Sequence, residues 1–216
     1  TKIVLTSTVF LILAGVLVFF SFDAVHLNLS LQDKILVSFF QSVTSRTAGF
    51  NTVNIGGLSA LTLFFFTVLM FIGAGPLSTS GGIKVTTFFL STLLVRRVFR
   101  RDSRIEIWKH AIPEETLWRG MSLILVSFAI LGVLLGVLLI TESFSFESLL
   151  FEITSAFGTV GLSTGITPFL TDMGKIIITL VMVFGRLGPL TLVYMIARKR
   201  DVGEVHLVED DSVMVG

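Results

Sequence analysis

The chain has 216 residues, of which 53% are hydrophobic and 14% charged, with 21 Phe, no Cys and a formal net charge of +1. A soluble domain carries nearer a quarter charged residues, so this composition, with a mean hydropathy of +0.92, points to a lipid bilayer. The absence of thiols excludes a disulfide framework and thiol chemistry, the scattered His26, His110 and His206 make no metal-ligand spacing, and no nucleic-acid partner is expected.

In chain order, residues 3–22 form an uncharged apolar run. It is too long for the apolar region of a signal peptide and long enough to span, since ~20 residues at ~1.5 Å each cross a ~30 Å core. Residues 31–45, LQDKILVSFFQSVTS, are too short and polar to span and too apolar for an external loop. They predict a short re-entrant helix, followed by the polar, glycine-containing TSRTAGFNT at 44–52. A second uncharged span covers 53–75. From residue 72 the sequence reads IGAGPLSTSGGIKVTTF, and its four glycines and proline cannot hold one continuous helix. The second span is therefore expected to break at about membrane depth and resume near Ile83, before the basic run RRVFRRDSR at 96–104.

Residues 105–119 read as an amphipathic linker, with Trp108 and Trp118 suited to a membrane interface. A third span covers 120–140, and a second re-entrant helix, SFESLLFEITSAF, covers 145–157. It is followed by FGTVGLSTG, then by a fourth apolar run at 176–197 that contains Arg186. The chain closes on RKR at 198–200 and a mixed acidic and apolar tail at 201–216. By the positive-inside rule Lys2, the 96–104 run, Arg119 and the 198–200 run face the cytoplasm, so both re-entrant segments enter from outside.

The pattern is written twice. Thr47, Ala48, Gly49, Phe50, Asn51 and Thr52 align with Thr159, Val160, Gly161, Leu162, Ser163 and Thr164 at an offset of 112 residues, and Phe39 meets Phe151 at the same offset. With a one-residue shift, Phe71 and the pair Gly75 and Pro76 meet Phe184 and the pair Gly188 and Pro189. The fold expected is an all-α membrane protein of tandem membrane–pore–membrane repeats, the first at 1–104 and the second at 120–200.

The T-x-G turns suit a cation that has left water. Backbone carbonyls and hydroxyls replace its hydration shell without adding full charge. A short helix aimed at the membrane centre turns its negative end toward the ion, and glycine lets the next carbonyls turn to an axis. The Phe or Leu after each glycine is expected to pack behind the loop.

SVTSRTAGFNT, FIGAGPLSTSGGIKVTTF, FGTVGLSTG and FGRLGP, in that order, resemble the membrane subunit of Ktr-type potassium transporters of the Trk/Ktr/HKT superfamily. That family folds as four membrane–pore–membrane repeats around one pore, and the two present here resemble the third and fourth. The resemblance implies a missing N-terminal half, a pseudo-fourfold pore in the bacterial plasma membrane, and uptake of K+ with imperfect rejection of Na+. Thr47, Ala48, Gly49, Phe50 and Asn51 would form one filter segment, and Thr159, Val160, Gly161, Leu162 and Ser163 another. Gly73, Gly75, Pro76, Ser78, Thr79, Ser80, Gly81, Gly82 and Lys84 would form an intramembrane gate loop beneath the filter. The resemblance also implies homodimer contacts through the tail, and regulation by a cytosolic ring of nucleotide-binding RCK subunits. No organic cofactor is expected in this chain.

Charged residues in spans are expensive, about +2.5 to 3.5 kcal/mol at the centre on insertion scales, and face a cavity or partner. Arg186 is expected at the pore, as an electrostatic barrier or an anchor for the gate loop. Arg46 reads as an anchor behind the filter or an influence on conduction, Lys84 as a partner of an acid or a carbonyl, and Glu142, Glu147 and Glu152 as candidate partners or mouth charges. An intramembrane enzyme would need a catalytic pair within spans, which the sequence does not offer. A non-conducting scaffold would not need duplicated filter-like loops.

Overall fold

A computed structural model describes residues 2–76, 78, 80–100, 106–107 and 110–188. Helix α1, Lys2–Phe22, is apolar on all sides, which suits a lipid or protein-filled surrounding better than water. The chain turns at Asp23 and enters α2, Leu31–Thr44. Ser30 starts α2 by accepting the Asp33 amide, satisfying one of the unpaired first-turn donors. After the first T-x-G turn, Ser59 caps α3, Ala60–Phe71. At 12 residues, α3 covers ~18 Å, little more than half a bilayer core. The chain then breaks, and α4 resumes at Val85–Arg100.

The same order returns. Helix α5, Glu114–Thr141, is followed by α6, Phe146–Gly158, a second T-x-G turn, and α7, Asp172–Leu187. Ser145 caps α6 and Thr171 caps α7, each accepting an amide three residues on. α1 and α5 are long and apolar enough to cross a membrane. The expected second span at 53–75 is helical only from Ala60, because Ile55–Gly57 is a 3-10 turn and Ser59 a cap. The third begins at Glu114 rather than 120. The linker holds a small feature absent from the all-α expectation: β1, Glu106–Ile107, pairs antiparallel with β2, His110–Ala111. Thr79, Trp108, the 198–200 run and the tail lie outside the described residues.

A paired clamp shows that the repeat extends to its interactions. The Asp23 carboxylate at the end of α1 accepts the Ser59 amide at 2.8 Å and hydroxyl at 3.0 Å. The Glu142 carboxylate at the end of α5 accepts the Thr171 amide at 3.2 Å and its hydroxyl. Ser59 and Thr171 are again 112 residues apart. In both repeats an acid at the end of the first helix holds the cap of the last helix and fixes where the post-filter loop ends. Glu142 is thereby spoken for and is not the partner of Arg46.

The two repeats pack through α3 against α6. Phe66 stacks on Phe19 with ring centroids 5.9 Å apart, and Phe71 meets Phe128 at 4.5 Å and Phe157 at 5.8 Å. Outward faces remain apolar, with Phe10 70% and Ile140 88% exposed.

Candidate functional site

α2 and α6 both end at the T-x-G turns, so both present C-terminal, electronegative ends there. In the first turn the amides of Ala48 and Gly49 both donate to the Thr44 carbonyl, each at 3.2 Å. In the second, the Val160 amide donates to the Ser155 carbonyl at 2.9 Å. These bonds reverse the backbone directly off the helix end. The reversal puts Thr47 at φ 81°, Thr159 at φ 52°, Gly49 at φ 77° and Gly161 at φ 96°. A left-handed threonine costs about 1–2 kcal/mol, and here it comes twice at matching positions.

The two turns lie against each other. A Cβ built on Gly161 would stand 3.7 Å from Gly49 Cα, and one built on Gly49 would run into the Val160 carbonyl. Segments 112 residues apart in sequence thus share one site. Leu162 is buried behind its turn at 2% exposure, as expected of the residue after the glycine. Phe50 departs from that expectation at 71% exposed. Its carbonyl accepts the Thr44 hydroxyl at 2.5 Å. Ala48 and Asn51 are also exposed, and Asn51 Nδ2 donates to the Val53 carbonyl at 3.4 Å. Val160 is 4% exposed, and Ser163 is half-buried.

The broken stretch between α3 and α4 is an ordered knot beside these turns. The Ile83 amide donates to Phe71 at 3.1 Å, and the Gly73 amide donates to Ile83 at 2.8 Å, pinching the break shut. The Ala74 amide donates to Ser80 Oγ at 3.0 Å, and the Ser80 amide to Ser78 Oγ at 3.2 Å. Lys84 Nζ donates to the carbonyls of Ser80 at 2.6 Å and Ser78 at 3.1 Å. Lys84 therefore uses carbonyls, not an acid. Gly75 and Pro76 form the outer bend, with Gly75 nearest Val4 of α1, and Gly82 has its Cα face toward Gly158.

Two bonds join this knot to the T-x-G turns. The Gly81 amide donates to Thr159 Oγ1 at 2.9 Å, and Arg46 Nη2 donates to the Gly73 carbonyl at 3.0 Å. Arg46 is an anchor to a carbonyl, and none of the three glutamates pairs with it among the described residues. Arg186 occupies the last turn of α7, exposed, and within Coulombic reach of Lys84. Glu147 is exposed in the first turn of α6. Glu152 is 5% exposed and bonds to the segment after the second turn. The sequence pointed to Glu152 without its role, and gave for Thr44 and Gln41 no signal beyond polar positions late on the same short helix, α2.

A family model described as TrkH, cation transport protein, matches residues 1–203. The Ktr system potassium uptake protein B of Vibrio alginolyticus is 39% identical over 222 residues, covering 100% of this chain and 48% of that protein. The potassium/sodium uptake protein NtpJ of Enterococcus hirae is 32% identical over 224 residues, covering 100% of this chain and 50% of that protein. The crystal structure of the potassium transporter TrkH from Vibrio parahaemolyticus superposes with a TM-score of 0.75 at 23% identity, over 90% of this chain and 43% of that one. The chain spans about half the length of the curated relatives it matches.

Proposed function

We propose that this chain, which belongs to the TrkH family of cation transport proteins, supplies two of the four membrane–pore–membrane units of a potassium uptake pathway. The observation that carries the reading is the meeting of the two T-x-G turns, each at the C-terminal end of a short helix. The similarity to potassium uptake proteins supports K+ as the ion, and the likeness to a potassium/sodium uptake protein makes Na+ its natural competitor.

In this reading carbonyls of Thr47–Asn51 and Thr159–Ser163, with those of two further such units, replace the hydration shell of K+. The ends of α2 and α6 stabilise the dehydrated ion electrostatically. The knot at 72–84 closes the path beneath the filter, and Lys84 and Arg186 raise the barrier there for any cation. Opening requires the loop to leave, which breaks the Gly81–Thr159 and Arg46–Gly73 bonds. α4 continues directly from the loop into the basic 96–104 segment, giving a cytosolic nucleotide-binding RCK ring a lever on the gate. The filter faces outside, the basic segments face the cytoplasm, and the tail joins two membrane subunits.

The test is K+ and Na+ influx into liposomes holding the complete protein, beside Gly49→Ser. Influx that prefers K+ and loses the preference in the variant is expected. Absence of cation influx refutes the reading, and influx indifferent to Gly49 refutes the filter assignment.

A further inference from the structure

We propose that Glu152 is a positioning residue that sets ion discrimination by bracing the segment just after the second filter turn; the inference rests on the filter reading above. Its carboxylate, 5% exposed, is wholly engaged with one stretch of chain. Oε1 accepts the Ser163 hydroxyl at 2.6 Å, the Thr164 amide at 2.8 Å and the Thr164 hydroxyl at 3.1 Å. Oε2 accepts the Thr167 hydroxyl at 2.7 Å. Ser163 Oγ in turn accepts the Gly165 amide at 2.8 Å, which ties the middle of the same stretch.

A buried carboxylate is expensive unless its acceptors are filled. A carboxylate offers about four acceptor positions and no donor, and here every donor comes from 163–167. Glutamine would keep one oxygen for Ser163 and Thr164 but present an amide to Thr167, whose hydroxyl would have to turn and accept, so the charge and the charge-assisted bonds are lost.

The other repeat holds a weaker version of the same device. Gln41 lies six residues before Thr47, and Glu152 seven before Thr159. Both reach the threonine five residues beyond the filter threonine: Gln41 Nε2 donates to Thr52 Oγ1 at 3.0 Å, where Glu152 accepts from Thr164. Gln41 makes that single bond, and its buried Oε1 has no hydrogen bond among the described residues. One filter segment is therefore tied down by a charged, many-bonded brace and its neighbour by one neutral bond.

A groove of about 230 Å³ runs along the second turn, where Glu152, Thr159, Ser163 and Thr167 meet apolar Leu162, Ile178 and Met182. Na+ is smaller than K+, and in the cavity-size account of selectivity a filter keeps Na+ out to the extent that its carbonyls do not close around it. Ser163 and Thr164, held to a fixed carboxylate, cannot follow such a closure. The second segment is thus the rigid wall of the pair.

The experiment measures K+ and Na+ influx for the complete transporter in liposomes, as wild type, Glu152→Gln and Thr167→Val, with thermal midpoints in detergent. Glu152→Gln is expected to lower the K+/Na+ influx ratio about tenfold, the factor that ~1.4 kcal/mol of lost discrimination produces. Thr167→Val removes the donor to Oε2 without touching the charge, and is expected to lower the ratio about threefold, or ~0.65 kcal/mol, together with a lower midpoint. A merely structural role would reduce yield or midpoint and leave the ratio of the surviving protein alone; that result overturns the proposal. If Glu152→Gln does not fold, Thr167→Val decides, and a wild-type ratio there overturns it equally. A wild type without K+ preference refutes the functional reading itself before any variant is compared.

Discussion

Replacing Gly49 with alanine is expected to damage ion discrimination far more than replacing Gly161, although the two occupy matching positions. Both have left-handed φ values, 77° and 96°, and an L side chain there costs about 1–2 kcal/mol. That charge is common to both variants. The surroundings differ. Among the described residues, the Cβ of Ala at 161 would meet Gly49 Cα at 3.7 Å, an ordinary contact, and nothing nearer. The Cβ of Ala at 49 would overlap the Val160 carbonyl oxygen. Forcing extra volume into a packed site adds roughly 1–3 kcal/mol, and the group that must turn aside is itself a proposed ion ligand. The extra ~1–3 kcal/mol of strain sets a ceiling of roughly 5- to 150-fold on the added loss in the K+/Na+ ratio, reached where all of it is relieved by displacing the Val160 carbonyl. The assay is paired K+ and Na+ influx for the complete protein in liposomes, with thermal midpoints to separate misfolding from misreading of ions. Equal losses in the two variants, or a larger loss for Gly161→Ala, would refute the inter-repeat contact as the source of the effect.

Two further perturbations test the loop and the clamps. Lys84→Met removes the ammonium that holds the Ser78 and Ser80 carbonyls, where a hydrogen bond to a charged group contributes ~1.5–3 kcal/mol; basal K+ influx should rise, and an unchanged basal rate would count against a pinned gate. Ser59→Ala and Thr171→Val each remove a helix cap and one donor to the Asp23 or Glu142 carboxylate. Each is expected to lower stability by ~1–2 kcal/mol, read as a drop in thermal midpoint, and a drop in only one of them would break the equivalence of the repeats.

Much of this protein was legible in its residues one stretch at a time. Composition alone placed it in a bilayer. The short polar-apolar stretches 31–45 and 145–157 predicted the helices α2 and α6, because neither a span nor a water-exposed loop fits their length and pattern. The glycine and proline run after Phe71 predicted the break, since such backbone does not sustain a helix. The 112-residue offset predicted the duplication. These signals are local or periodic, and a linear sequence carries local and periodic information directly.

Tertiary structure decided the partners. That Gly81 reaches Thr159 depends on the packing of the two repeats, while Arg46 reaches the Gly73 carbonyl, and Glu152 holds Ser163, Thr164 and Thr167, through the way each repeat folds back on its own short helix. Three glutamates and several cations offered many pairings of equal chemical merit in the sequence. Only the packed backbone, which leaves some groups beside carbonyls and others beside hydroxyls, selects among them. The exposure of Phe50 and the burial of Leu162, equivalent residues in the two repeats, have the same origin. The sequence determines that a turn forms after each short helix, because glycine and threonine follow it at the same spacing, while which face of that turn is covered depends on what packs against it.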